Sequence, residues 1–278
     1  MVRLFGPLVG LFFAVALLWS FGNGAYNAAT QPTPPSAEKL FHMHPKEVKF
    51  SFDGPFGTFD KAQLQRGFKV YQEVCSNCHS LKQVAFRDLT ALGYNEAEVK
   101  AIAKNWGNKA QTFDPKTGDR GDRPNLPSDH FPPVYYAGQG VPPDLSLIAK
   151  SRHGGAQYIH SLLTGYVDQA GYKNEEGVEL LKKFPDAKTP DGLYFNPYFA
   201  NLNLAMPAPL VSDGQVAYND GTQSTVDQMA MDVSAFLTWT AEPKLDKRKQ
   251  TGWPVLGFLL AATVLAFLAK RNVWADKH

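Results

Sequence analysis

Cysteine is nearly absent. The 278 residues contain only Cys75 and Cys78, three positions apart. No disulfide framework can be built from one such pair, and a four-cysteine zinc ribbon would need a second pair. An excess of charge of one sign is also missing, with 28 Lys and Arg against 26 Asp and Glu. The balance is uneven along the chain. Residues 38–242 hold 20 basic and 24 acidic side chains, and the remaining basic residues fall near the two ends. An acidic body with basic ends argues against a nucleic-acid partner. It suits a body that meets a basic protein and ends that meet a membrane. Long alternation of apolar and polar residues is lacking, and no internal repeat is visible. The chain therefore reads as mostly α with long loops.

Two apolar runs stand out. The first covers residues 4–21 after Arg3, and reads either as a cleaved secretory signal within residues 1–25 or as a retained N-terminal anchor. Its length falls between the two, and Asn23-Gly24-Ala25 is a poor cleavage site. Residues 26–50 follow, rich in Pro, Ala, Thr and Gln, and read as an irregular tether. The second run covers residues 253–269, opened by Trp253 and followed by Lys270, Arg271 and Trp274. It reads as a transmembrane anchor (251–270) with a short cytoplasmic tail (271–278).

Between them, residues 51–250 form the expected soluble domain. Leu64, Phe68, Tyr71 and Val74 recur at helical spacing after Asp60, a suitable N-cap. Helices are also expected over residues 97–106, 154–165 and 225–240, the last with Val226, Met229, Val233, Phe236 and Leu237 on one face. Residues 112–133 and 167–205 read as loops from their Gly, Pro, Asp and Asn content.

The chemistry sits in Cys75-Ser76-Asn77-Cys78-His79. This is the spacing of covalent haem attachment: two sulfurs bond the haem and the adjacent imidazole meets the iron. A redox dithiol or half a zinc site are the rival readings. Such haem is attached outside the bacterial cytoplasm, which places the body outside and the C-terminus inside. A second axial ligand makes an electron carrier, whereas an open position makes a sensor or peroxidase-type site. The candidates are Met43, Met206, Met229 and Met231, with His42, His44, His130, His153 and His160 as rivals. Met229 and Met231 lie where a helix needs packing residues. Met206 stands in Ala205-Met206-Pro207-Ala208-Pro209, whose prolines stiffen the loop. Arg152, before Gly154-Gly155, could neutralise a haem propionate or simply face water.

The segment around the haem motif resembles the cytochrome c1 family, the haem subunit of the cytochrome bc1 complex. So do Pro142-Pro143-Asp144-Leu145-Ser146, residues 149–166, Gly192-Leu193-Tyr194-Phe195-Asn196-Pro197-Tyr198 and Ala241-Glu242-Pro243-Lys244, in order and spacing. The resemblance implies an α-helical cytochrome c core with insertions, a C-terminal anchor and one haem c. It implies Met206 as the iron's second axial ligand, with Arg152, Tyr158 and Pro143 near the haem. It further implies a Rieske iron–sulfur protein as donor, a c-type cytochrome as acceptor, cytochrome b beside the anchor and a dimeric complex. The haem domain would then lie in the periplasm of a bacterial inner membrane. Catalysis would belong to the quinol–cytochrome c reductase as a whole. The alternatives are a free-standing membrane-anchored cytochrome c and an open-site haem sensor or peroxidase. Residues 167–191 depart from the family pattern and receive no role. The extra cysteine pair of some bacterial relatives is missing, so any bracing of the Met206 loop must come from packing or hydrogen bonds.

Overall fold

The computed structural model describes residues 2–31, 34–138 and 140–276. Pro32 and Thr33 of the expected tether and the last two residues of the expected tail lie outside them. The chain enters through a long helix, α1 (Val2–Thr30). Its residues 4–21 are apolar, and residues 4–30 are wholly uncovered by the rest of the molecule. A helix apolar on all sides is suited to lipid, not to packing on a polar body.

The stretch read as a tether is more ordered than its composition suggests. It carries a short helix, α2 (Ala37–Phe41), started by Ser36, whose hydroxyl accepts from the Lys39 amide. Phe41 is buried against Tyr172 and Phe184. Lys46 continues the attachment: its amide donates to Ser161 Oγ at 2.7 Å and its amine to Thr164 Oγ1 at 2.8 Å. Proline-rich composition reports poor helix propensity, but not whether an extended strand will find a groove to lie in.

Helix α3 (Lys61–Glu73) starts at Asp60, whose carboxylate caps the Ala62 amide. It buries Leu64, Phe68 and Tyr71, the face that the spacing predicts. A 3-10 segment (Phe86–Leu92) leads to α4 (Glu96–Asn105), entered through a reciprocal Asn95–Glu98 capping box. Within the expected loop over 112–133 lies part of an antiparallel ribbon, β1 (Ala110–Phe113) and β2 (Arg120–Arg123), pairing Ala110 with Arg123. Its residues are almost all exposed, so no alternation marks it in sequence. Short helices α5 (Ile148–Ser151), α6 (Gly155–Leu163) and α7 (Leu180–Lys183) follow, then a ribbon of β3 (Tyr194–Phe195) and β4 (Asn203–Leu204). Helix α8 (Val226–Ala241) is capped by Thr225. A turn at Glu242–Lys244 passes into α9 (Leu245–Val273), which carries the second apolar run.

The core forms where α3 crosses α8. A side chain at Gly67 would put its Cβ 2.0 Å from the Asp232 carbonyl oxygen, so glycine sets how closely the helices approach. Next to it, Arg66 grips the fully buried Asp232 through Nε at 2.9 Å and reaches Asp220 at 2.7 Å. Removing the arginine would strand a buried carboxylate, typically at a cost of about 3–5 kcal/mol. Phe68, Tyr71, Phe86, Trp106, Phe131 and Phe236 close around the crossing in stacked and edge-on pairs. A second, smaller cluster joins Phe41, Leu180, Phe195 and Leu202, with Tyr172 and Phe184 packed on it. Residues 167–191, which show little periodicity, are thus a small lobe held to the N-terminal strap.

Candidate haem-attachment site

Helix α3 delivers the motif. It ends at Glu73, and the chain tightens into a 3-10 turn over Cys75–Asn77. The amides of Cys78 and His79 both donate to the Cys75 carbonyl, at 3.1 and 2.9 Å. One carbonyl therefore gathers the three donor residues. From the buried face of α3, the Tyr71 hydroxyl donates to the His79 carbonyl at 2.9 Å. Tyr71 is 1% exposed, and burial, with Cys75 and Asp144 nearby, raises its pKa far above the ordinary phenol value. It remains a proton donor at any physiological pH.

The imidazole is held in one state. His79 Nδ1 lies 2.8 Å from the Pro143 carbonyl oxygen. A carbonyl can only accept, so Nδ1 carries the proton and Nε2 presents its lone pair. Burial lowers the His79 pKa, opposed by the Pro143 carbonyl and Asp144. Neutral imidazole is the form that binds iron.

Pro143 is itself fixed. Asp144 accepts from Ser80 Oγ (2.9 Å), the Lys82 amide (2.8 Å) and the Ser146 amide (2.9 Å). The Leu145 amide donates to the Ser80 carbonyl at 2.9 Å, and Ser146 Oγ accepts from the Gln83 amide. Burial would raise the Asp144 pKa, but these bonds hold it below the ordinary carboxylate value. The 142–146 segment is laced to the residues just after His79.

Burial, with Cys78 adjacent, pushes the Cys75 thiol up to about 12. A redox dithiol needs a stabilised thiolate at one of its sulfurs, and Cys75 is not that sulfur. Among the described residues, no group of three or more His, Cys, Asp or Glu is placed to hold a metal ion. Two thiols and a neutral, oriented imidazole fit covalent haem.

A second group surrounds Met206. This residue follows β4 and is half-buried, with its carbonyl accepting from the Tyr166 hydroxyl at 3.0 Å. Tyr158 lies close to Tyr166 and beside the exposed Arg152; burial raises its pKa, and Arg152 opposes the rise. Arg152, Tyr158, Tyr166 and Met206 thus form a connected series. The other candidates are engaged or remote from packing. Met229 is fully buried in the α8 core and Met231 packs against it. The Met43 sulfur accepts from the Tyr172 hydroxyl at 3.3 Å. His42, His44, His130 and His153 are exposed, and His160 is buried with Nε2 on Asp227 at 2.9 Å.

Three residues had no role assigned from the sequence: Tyr71, Asp144 and Tyr166. Tyr71 is marked only as the one polar tip on an apolar helix face, and Asp144 only as the acid after a double proline.

The Cytochrome C1 family model matches residues 50–277. Cytochrome c1 of Rhodospirillum rubrum is 44% identical over 247 residues, covering 82% of this chain and 87% of the relative. Cytochrome c1 of Blastochloris viridis is 38% identical, covering 96% of each. The mitochondrial cytochrome b-c1 complex catalytic subunit of Candida albicans is 41% identical, covering 84% of this chain and 78% of the relative. With its haem motif, oriented histidine and matching length, the chain belongs to the cytochrome c1 family.

Proposed function

We propose that this chain is the electron-transfer subunit of a cytochrome bc1 complex. It takes single electrons from a Rieske iron–sulfur protein and delivers them to a c-type cytochrome. The observation that carries the reading is the His79–Pro143 contact at 2.8 Å behind a tight Cys75–Cys78 turn. Haem c, when bound, supplies a one-electron iron couple. Cys75 and Cys78 would hold it covalently, and His79 and Met206 would ligate its iron. Arg152 is placed to meet a propionate, with Tyr158 and Pro143 lining the same pocket.

The surrounding architecture supports this assignment. Helix α9 is long and apolar enough to cross a bilayer and is the proposed anchor; the proposal sets it beside cytochrome b in a dimeric complex. The haem domain, residues 51–250, lies on the periplasmic side of a bacterial inner membrane and the tail from residue 271 on the cytoplasmic side. Catalysis belongs to the whole reductase.

Met206→Leu tests the ligand set. Thioether ligation favours reduced iron and a high potential. The variant should retain haem through both cysteines, lose potential sharply and bind carbon monoxide when reduced. Met229→Leu, a buried swap of similar volume, should cost under about 1.5 kcal/mol and leave the potential alone. A parent protein that already binds carbon monoxide rapidly would favour the sensor or peroxidase reading. Copurification of cytochrome b after mild detergent extraction separates the complex subunit from a free-standing cytochrome.

A further inference from the structure

The loop just before α3 lies on the foot of the anchor and carries an exposed aromatic residue. Phe56 is 76% exposed, yet its ring stacks on Trp253 with centroids 5.0 Å apart and planes within 10°. The loop is built for this presentation. Gly57 folds back so tightly that a Cβ there would sit 2.1 Å from the Asp53 carbonyl oxygen. The Asp53 carboxylate accepts from the Phe50 amide at 2.8 Å and closes the turn from the other side. One helical turn before Trp253, the Lys249 amine donates to the carbonyls of Phe52, Gly54 and Gly57 at 2.6, 2.7 and 3.1 Å. Lys249 and Trp253, four residues apart, share one face of α9. Asp246, on the same helix, accepts from the Phe59 amide at 3.2 Å. Loop and helix foot therefore form a single rigid piece.

The depth of that piece follows from the helix. Trp253 and Trp274 bracket the apolar run, and a rise of 1.5 Å per residue separates them by about 32 Å. A bilayer's hydrocarbon core is about 30 Å thick. Trp253 is thus at the headgroup boundary, where aromatic side chains with one apolar side reside. A ring stacked face to face on Trp253 shares its level.

We infer that the 53–57 loop is a second membrane contact, with Phe56 inserted at the lipid headgroup–acyl boundary on the haem-domain side. The inference rests on α9 spanning the bilayer. The contact fixes the haem domain to the membrane at two places, so the domain does not swing freely on its anchor. Lys249 is occupied by loop carbonyls, so the loop itself meets the bilayer through Phe56 and not through that charge.

The test places the photoreactive residue benzoylphenylalanine at position 56 in the full chain, within the complex in native membranes. The same residue at Leu260, inside the apolar run, and at Tyr135, 91% exposed, supplies the references. After irradiation, mass spectrometry should find lipid adducts at 56 and none at 135. Position 260 should label lipid or another membrane-spanning subunit. If 260 labels either while 56 labels only protein or nothing, the inference is overturned and the span stands. If 260 labels neither, the span itself is wrong and the inference falls with it. Lipid adducts at 135 equal to those at 56 would also overturn it, because labelling would then not report depth.

Discussion

Asp144 is the acid on which the orientation of His79 depends. Its two oxygens take three hydrogen bonds from the segment after the haem motif and from its own turn. An amide offers one good acceptor oxygen and puts donors where the carboxylate accepted. Asp144→Asn should therefore loosen the Pro143 carbonyl and cost about 1–3 kcal/mol, the usual penalty for unsatisfied buried groups. A histidine whose Nδ1–H is bound less firmly is a less basic ligand, and a nearby negative charge is lost as well. Both changes disfavour oxidised iron, so the midpoint potential should rise. Potentiometric titration checks this, and an unchanged or lowered potential would show that Asp144 does not act through His79. His160 makes a different prediction. Burial lowers its pKa from 6.5, helped by Lys46 and opposed by Asp227, so it folds neutral. The unfolded chain takes up a proton near the ordinary value, so stability is full above pH 6.5 and declines as pH falls below it. Denaturant midpoints measured from pH 7.5 to 5.5 should fall, by about 1.4 kcal/mol per pH unit at most from this one group. His160→Gln should flatten that limb, and an equally steep limb in the variant would assign it elsewhere.

Among the elements, the α3–α8 crossing is the tightest constraint. Gly67 lies under the Asp232 carbonyl with Phe236 Cβ alongside. Gly67→Ala must push the helices apart and should cost about 3 kcal/mol, the upper end for overpacking. A denaturant midpoint close to the parent's would mean that the helices can separate without loss. The crossing also shows what could be read from the sequence. Helices α3, α4, α6 and α8 announced themselves because each buries one face and keeps a cap or a periodic stripe. The haem motif was legible for the same reason: its spacing is local. Asp144 and Tyr166 were silent because their partners are 64 and 40 residues away. The strap was missed because Phe41 finds its pocket in residues 172–184, which show no helical or strand period. The β1–β2 ribbon was missed because an exposed ribbon needs no apolar alternation.

At the scale of the molecule, the haem domain and the two apolar helices are separable. Among the described residues, packed side chains begin at Ala37, after α1, and the last buried one is Leu245, at the start of α9. Residues 4–30 of α1 contribute nothing to either core, and the apolar stretch of α9 contributes nothing beyond its foot. Ending the chain after Thr251 keeps Lys249 and Asp246, the polar ties between the helix foot and the 52–59 loop. It removes Trp253 and everything that could cross a bilayer at that end. The shortened protein should fold, carry its covalent haem and give the reduced spectrum of the parent. It should be released as a soluble protein and support no quinol-dependent turnover in membranes, because a domain that is not held beside its donor meets it only by diffusion. Fractionation decides the fate of the N-terminal run at the same time. A single apolar contact such as Phe56 gives only weak, reversible binding, whereas a spanning helix is effectively irreversible. Haem protein that resists extraction by salt and alkaline wash would therefore identify α1 as a retained second anchor. Release into the soluble fraction, with a mature N-terminus beyond residue 21, would identify the run as a cleaved signal.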